Sequence, residues 1–311
     1  MGPHSAWPRW AGAFAALVCL VAALLVAPAG ATAAARLHPA AATAVAREAA
    51  RIARYWTPAR MRATRPLDAA PPGGAPLTAR ASFAQVKEPT ALPFAVNGRL
   101  FVRQGKARGF CSATAINTPS RKLVLTAGHC VNSGPQPPNG HSVWSSFLEF
   151  VPAYSGGTAP FGAFIAHRKS VFALKQWVKF GNPNFDVGAI VTTPNAEGVN
   201  VADAVGGGAA IAEDLSRRQE FQTFGYPGET RWMQGCNSPY VGDDVLTYRI
   251  PGPPTIAIRC RWTPGASGGG WLIEGGTMID GLTSYGKGGD RRHTFGPYFS
   301  ARNVGRLTAD L

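Results

Sequence analysis

The chain has 311 residues, of which 45% are hydrophobic and only 15% charged, with 37 glycines, 26 prolines and a formal charge of +14. Many glycines and prolines with few charges favour short strands joined by turns over long amphipathic helices, so we predict an all-β protein. The positive charge does not indicate a nucleic-acid partner, because eight arginines against two acids fall within the first 68 residues and no basic block alternates with aromatic residues.

The N-terminus has the layout of a secretory signal peptide. After Arg9, an uncharged apolar run extends from Ala11 to Val26 and leads into small residues at 31–35. We therefore predict that residues 1–35 are a signal peptide, that the protein is secreted, and that it meets a membrane only during export. An uncleaved anchor is the alternative, which the short run disfavours because a span needs about 20 residues.

Four cysteines remain after Cys19, which lies inside the apolar run: Cys111, Cys130, Cys236 and Cys260. An even number in an exported chain predicts two disulfides, and four cysteines allow three connectivities. A zinc site is the alternative, but the sequence has no C-x-x-C or H-x-x-x-H pair. We expect neither a metal nor a cofactor.

Residues 36–90 are predicted to be a pro-segment or linker. Apolar residues at 45–56 recur at near-helical spacing, and Pro58 is expected to end this one short helix. Prolines recur from residue 66 to 92, a composition that resists packing and is easily cut. The folded domain is then residues 91–311.

Short apolar stretches separated by Gly, Pro and Asn make up this domain and predict about a dozen strands in a barrel or sandwich. The predicted strands are 99–103, 112–116, 122–125, 147–151, 161–166, 187–192, 220–224, 245–250, 255–260, 270–273 and 278–284. Residues 300–311 are expected to form a terminal helix.

Two segments carry the residue types that peptide-bond cleavage requires: a nucleophile, a base and donors for an oxyanion. His129 ends the sequence Thr-Ala-Gly-His, whose small residues would let the imidazole face a cleft. Ser267 lies in Gly-Ala-Ser-Gly-Gly, where glycines permit a tight turn. The N–H groups of Gly265 and Ser267 would then form an oxyanion hole.

Asp186 is the predicted acid that orients His129. It opens the apolar strand Val-Gly-Ala-Ile-Val and lies between the histidine and the serine along the chain. Asp203 and Asp214 are the alternatives, and neither starts a comparable strand.

Thr-Ala-Gly-His-Cys, the aspartate before an apolar strand and Gly-x-Ser-Gly-Gly, in this order, resemble the motifs of trypsin/chymotrypsin-like serine proteases over residues 90–305. Tyr-Trp-Thr-Pro-Ala-Arg-Met at 55–61 and Gly-Tyr-Pro at 225–227 are similar to secreted bacterial proteases related to glutamyl endopeptidases, including actinobacterial ones. The resemblance implies two six-stranded antiparallel β-barrels with the cleft between them, and the disulfides Cys111–Cys130 and Cys236–Cys260. It also implies a secreted, monomeric endopeptidase that acts on proteins or peptides through an acyl-enzyme.

Ala266 departs from the pattern, because digestive members of the family carry an acid there that pairs with the new N-terminus on activation. We therefore expect a zymogen in which removal of the pro-segment unmasks the cleft without that ion pair. The pocket is less determined by the resemblance. Residues Thr283, Ser284, Tyr285 and Gly286 resemble the strand that binds substrate, and residues 296–298 would form the far wall.

Arg261, six residues before the serine, would favour acidic substrate side chains if it faces the pocket. If it faces solvent, the pocket beside Trp262 would be shallow and apolar. Two other functions compete with proteolysis: a binding protein on an inactive protease scaffold, and an esterase. The order His, Asp, Ser differs from that of the α/β-hydrolase esterases, and both the histidine and the serine are present.

Overall fold

A computed structural model describes residues 39–68, 83–136, 138–290 and 292–311, without the side chains of 39–41. The predicted signal peptide and most of the proline-rich stretch, residues 69–82, lie outside the described residues. The chain divides into two units, Met1–Pro39 and Ala40–Leu311. The described strands all belong to the second unit.

These strands form two sheets. The first contains β2 Asn97–Gln104, β3 Ala107–Ala115, β4 Leu123–Thr126, β5 Ser145–Pro152, β6 Phe164–Ala166, β7 Val171–Ala173 and β8 Gly188–Val191. Their order is β6-β5-β2-β3-β4-β8-β7, and the described pairs are all antiparallel. Gly105, with φ +59°, makes the tight turn between β2 and β3.

The second sheet contains β1 Ala84–Gln85, β9 Ala210–Ile211, β10 Glu220–Gly225, β11 Gln234–Asp243, β12 Ile256–Ile258, β13 Gly270–Ile273, β14 Met278–Leu282 and β15 Thr294–Gly296. Its order is β15-β12-β11-β10-β13-β14-β9, with β1 paired to β11. The pair β14–β9 is parallel and the other described pairs are antiparallel. Buried Trp271 and Phe221 pack in the core of this sheet.

The predicted all-β double barrel is confirmed. The sheets count seven and eight strands in the described residues because short segments such as β7, β9 and β1 extend them. The strand predicted at 245–250 is wrong: Val245–Arg249 is a 3-10 helix, capped where Asp244 accepts a hydrogen bond from the Leu246 N–H. Its apolar side chains face solvent, with Val245 67% and Leu246 64% exposed.

The described helices are short except for the first. They are α1 Pro39–Tyr55, α2 Pro58–Ala63, α3 Gly128–Val131, α4 Lys175–Phe180, α5 Val201–Ala204 and α6 Arg306–Thr308. The prediction of one helix ended by Pro58 is wrong, since two helices are present and Pro58 begins the second, α2. A proline fits the first helical turn, and the Thr57 side chain caps it. A π-helical turn, Ala301–Gly305, leads into the predicted terminal helix. No helix in the described part of the chain is long and apolar enough to cross a membrane.

The helices α1 and α2 pack on the first barrel. Ile52, Trp56 and Met61 are 1%, 3% and 6% exposed. The Trp56 indole N–H donates to the carbonyl of Phe147 at 2.5 Å, and its ring lies 5.5 Å from that of Phe101. The predicted pro-segment is therefore part of the hydrophobic core.

Both predicted disulfides are present. Cys111 in β3 bonds Cys130 in α3, with Cα atoms 6.2 Å apart, and Cys236 in β11 bonds Cys260, with Cα atoms 6.0 Å apart. The first bridge joins β3 directly to the residue after His129.

Candidate active site

His129 lies in the first turn after β4, where the close packing of Gly128 fixes the backbone. A Cβ on Gly128 would lie 2.9 Å from Oδ1 of Asp186 and 3.0 Å from the Trp177 ring, so only glycine fits. The Trp177 ring lies 6.1 Å from the His129 ring and donates from its indole N–H to the Asn132 carbonyl. These contacts hold the imidazole at the cleft.

Asp186 is buried, 2% exposed, between a 3-10 turn at Pro183–Phe185 and β8. Its Oδ1 accepts the backbone N–H of His129 at 2.7 Å, and its Oδ2 lies 2.8 Å from His129 Nδ1. The Ser284 hydroxyl donates to the same Oδ2 at 2.5 Å. A buried carboxylate with three donors stays ordered and fixes the orientation of the imidazole.

The charges around His129 favour its protonated form. Burial disfavours the imidazolium, but the Asp186 carboxylate, by its charge and its hydrogen bond, and the Asp68 carboxylate outweigh that effect and raise the pKa of His129 to about 9. The Nε2 atom is buried and has no hydrogen-bond partner among the described residues. The ring nitrogen that would take a proton from a nucleophile is therefore without a partner among the described residues.

Ser267 lies in a loop that only glycines can form. Gly265 and Gly268 have φ of +98° and +84°, and a Cβ on Gly268 would overlap Oγ1 of Thr126. The Ser267 carbonyl accepts the N–H of Ser112 at 2.8 Å, which ties the loop to β3. Ser267 itself is 3% exposed.

Ser112 also orients the peptide that follows Gly265, a role that the sequence did not indicate. Its hydroxyl donates to the Gly265 carbonyl at 2.9 Å and accepts the Tyr226 N–H at 2.9 Å. The Gly265 N–H points into the cleft and donates to Oδ1 of Asp68 at 2.8 Å. Asp68 Oδ2 accepts the hydroxyl of Ser267 at 2.6 Å.

A cleft of about 500 Å³ lies beside Ser267 and His129. All five predicted substrate-binding residues line it: Arg261, Thr283, Ser284, Tyr285 and Gly286. Gly296, Pro297 and Tyr298, the predicted far wall, are not among its lining residues. His293 and Thr294 line the cleft instead, and Thr294 is the first residue of β15.

Lys287, Asp290 and His293 also line the cleft, and none of the three was predicted. His293 Nδ1 lies 2.9 Å from Oδ2 of Asp290. Burial alone would raise the pKa of Asp290, but hydrogen bonds from two backbone N–H groups and from His293 lower it. No sequence signal identifies His293 as a residue of the cleft, since a lone histidine carries no motif and is most simply interpreted as a structural or surface residue.

Lys287 is held by Asp244, at 2.5 Å from its Oδ1, and Tyr285 donates to the other oxygen at 2.7 Å. Burial opposes ionisation of Asp244, yet the hydrogen bonds from Lys287 and Tyr285 lower its pKa. The Lys287 ammonium and the His293 ring on the wall of the cleft are therefore each paired with a carboxylate, that of Asp244 and that of Asp290.

Two barrels with this cleft between them are the fold of the trypsin-like serine proteases. The chain is similar in structure to the protease Anisep from Arthrobacter nicotinovorans, at 29% identity and a TM-score of 0.58, covering 66% of this chain and 90% of Anisep. It is also similar to the thermostable serine protease AL20 from an extremophilic microorganism, at 27% identity and a TM-score of 0.57, covering 67% of this chain and 92% of AL20.

A Glu endopeptidase, solved in complex with MPD, has the same fold at 17% identity and a TM-score of 0.57, covering 73% of this chain and 94% of that one. No protein-family model and no curated protein matches the sequence. The resemblance to trypsin-like serine proteases predicted from the motifs is confirmed at the level of the fold, and these two neighbours are proteases, enzymes whose substrates are proteins or peptides.

Proposed function

We propose that the chain is a secreted serine endopeptidase with His129, Asp186 and Ser267 as its triad. The observation that carries the proposal is the arrangement of one cleft. A buried carboxylate orients the histidine, and the serine hydroxyl lies beside a Gly265 N–H that already binds an anionic oxygen. These are the groups that acyl transfer requires.

In the proposed reaction, the Ser267 Oγ attacks the scissile carbonyl carbon as its proton passes to Nε2 of His129. The carbonyl oxygen becomes an oxyanion bound by the N–H groups of Gly265 and Ser267. The imidazolium, stabilised by Asp186, then protonates the leaving amine as the C–N bond breaks. Water, deprotonated by the same histidine, hydrolyses the acyl-enzyme and restores the serine.

The proposed substrate preference is for acidic side chains at the cleavage site. Arg261 lines the cleft, as this preference requires. The alternative was a shallow, apolar pocket beside Trp262. That side chain is 7% exposed, its ring stacks on the Phe83 ring at 5.1 Å between centroids, and its indole N–H donates to the Thr223 hydroxyl. Most of the Trp262 surface therefore packs into the second barrel, and what remains lines the cleft beside Arg261 and Thr263.

The proposed maturation removes residues 1–35 during export and then the pro-segment, leaving a monomeric catalytic domain. The sequence pattern favours a boundary near residue 90. Phe83 stacks on Trp262 and β1 pairs with β11, so we propose that the mature chain begins before Phe83. Intact-mass measurement of the protein from the culture medium tests the boundary, and size-exclusion chromatography tests the monomeric state.

The proposed activity is tested with a fluorophosphonate probe on the processed protein. Wild type is expected to take one label, and Ser267→Ala none, because the probe reacts with an activated serine. Ser120→Ala, at an exposed serine of a loop in the first barrel, is the matched control and should label like wild type. A folded wild type that takes no label would favour the binding-protein alternative.

A further inference from the structure

A stretch of the predicted pro-segment, residues 65–68, lies along the edge of β3. The Leu67 N–H donates to the Phe110 carbonyl at 2.9 Å, and the Phe110 N–H donates to the Arg65 carbonyl at 3.1 Å. Pro66 is thus paired in parallel with Phe110. This edge is open there because β4 pairs with β3 only at Thr114 and Ala115.

Two glycines make room for this segment. A Cβ on Gly109 would lie 2.5 Å from the Cα of Leu67, and a Cβ on Gly228 would lie 2.5 Å from Cγ of Pro66. Neither glycine has a positive φ, so the backbone conformation does not require them. The close approach of Leu67 and Pro66 requires glycine at these two positions.

The segment delivers Asp68 to the catalytic groups. One carboxylate oxygen accepts the Gly265 N–H at 2.8 Å, and the other accepts the Ser267 hydroxyl at 2.6 Å. The serine proton therefore points to Asp68, and Nε2 of His129 is left without a partner among the described residues. One side chain occupies the site of the oxyanion and diverts the nucleophile from its base.

We infer that Asp68 is the inhibitory residue of the precursor: its carboxylate fills the proposed oxyanion hole and holds Ser267 away from His129. This inference rests on the proposed function and specifies how that site is regulated. The group presented to Ser267 is a carboxylate and not a peptide carbonyl. A resonance-stabilised anion repels a nucleophilic oxygen, so the segment binds at the centre without being a substrate there.

The contact between Asp68 and Ser267 is held in place because buried side chains anchor the chain just before Asp68. Ile52, Trp56 and Met61 are buried against the first barrel, and only a few residues separate Met61 from Asp68. The chain from α2 to the cleft thus has little freedom to withdraw the carboxylate. Inhibition is predicted to last as long as this anchor stays attached.

The inference is tested by fluorophosphonate labelling of the uncleaved chain, followed on gels that separate it from processed forms. Asp68→Ala should label Ser267 at least about tenfold faster than wild type, since it removes a hydrogen bond to a charged acceptor. Glu48→Ala, which removes another acid of the described pro-segment, is the matched control and should label at the wild-type rate. Gly109→Ala should also accelerate labelling, because it displaces Leu67 without changing Asp68.

Processed protein, freed of residues up to 68 by limited proteolysis and gel filtration, separates the two proposals. If it labels at Ser267 while uncleaved Asp68→Ala labels no faster than uncleaved wild type, Asp68 is not the inhibitor and the proposed function stands. If uncleaved wild type already labels as fast as processed protein, the inference is also wrong. If processed protein does not label, the proposed function itself fails. Thermal unfolding confirms that each variant is folded.

Discussion

The Ser284 hydroxyl donates to Oδ2 of Asp186 at 2.5 Å, the same oxygen that lies 2.8 Å from Nδ1 of His129. Ser284 also lines the substrate cleft. One hydroxyl therefore joins the strand predicted to bind substrate to the acid predicted to orient the base.

Ser284→Ala is expected to lower the kcat/KM of the processed enzyme about tenfold, because Asp186 loses a charge-assisted hydrogen bond in a buried position. Peptide hydrolysis over a range of pH measures the effect, which should appear in kcat more than in KM. Ser238→Ala, at a buried serine of β11 outside the cleft, is the control. Equal kcat/KM in both variants would exclude a positioning role for Ser284.

Asp68→Asn in the uncleaved chain is expected to lower the pKa of His129 below the value of about 9, because the Asp68 carboxylate contributes to raising it. Burial still disfavours the imidazolium, and Asp186 still stabilises it. NMR titration of the ring measures this directly. A pKa unchanged by the substitution would mean that the charge of Asp68 does not reach His129.

The same pKa determines how His129 contributes to the stability of the precursor. A folded-state pKa of about 9 lies above the ordinary 6.5. The stabilisation is therefore complete below about pH 6.5 and is lost as the pH rises through 9. Urea unfolding of wild type and Asp68→Asn should show a smaller loss in the variant over this interval.

Asp280→Asn is expected to stabilise the protein at pH 8 by about 2 kcal/mol and to have little effect at pH 4. Asp280 is 1% exposed, neither carboxylate oxygen has a hydrogen-bond partner in the described structure, and burial raises its pKa to about 7. Its favourable neutral form is complete below pH 4 and is lost as the pH rises through 7. Denaturant unfolding at both pH values measures the change in stability. Asp203→Asn is the control, because Asp203 is exposed and forms an ion pair with Arg121 at the surface.

Arg261→Ala is expected to reduce kcat/KM for peptides with Glu at the cleavage site about tenfold or more relative to peptides with Leu, because the charged partner is lost. Profiling of a peptide library with processed wild type and variant measures the ratio. Glutamate is compared with glutamine to separate charge from shape. Wild-type cleavage after apolar or basic residues would overturn the acidic preference.

The barrel strands and the motif residues were predictable because their determinants are local. Strands such as 99–103 and 270–273 are apolar runs bounded by turn residues. Around Ser267, close packing demands the glycines themselves, since a Cβ on Gly268 or Gly269 would overlap neighbouring backbone or side-chain atoms. A short sequence pattern can carry such a constraint, because it depends on neighbouring residues.

The features that could not be predicted depend on long-range contacts. The ten-residue strand β11 contains Gly235, Pro239 and Gly242, which argue against a strand, and Pro239 does so most strongly in one that pairs with neighbours on both sides. Asp68 contacts a residue 199 positions away, and no local pattern distinguishes it from a turn aspartate. Only the packing of α1 and α2 on the first barrel reveals where it lies.

The buried side chains of α1 and α2 have a consequence for what a cut in the chain would do. Severing the backbone after Asp68 removes the tether but leaves the apolar anchors at Ile52, Trp56 and Met61 in place. An inhibitor held at the high effective concentration of a linked segment then becomes a separate ligand with an ordinary dissociation constant. Activation would then need dilution into the surrounding medium as well as the cut. The enzyme would remain inhibited where its concentration is high and become active as it is diluted.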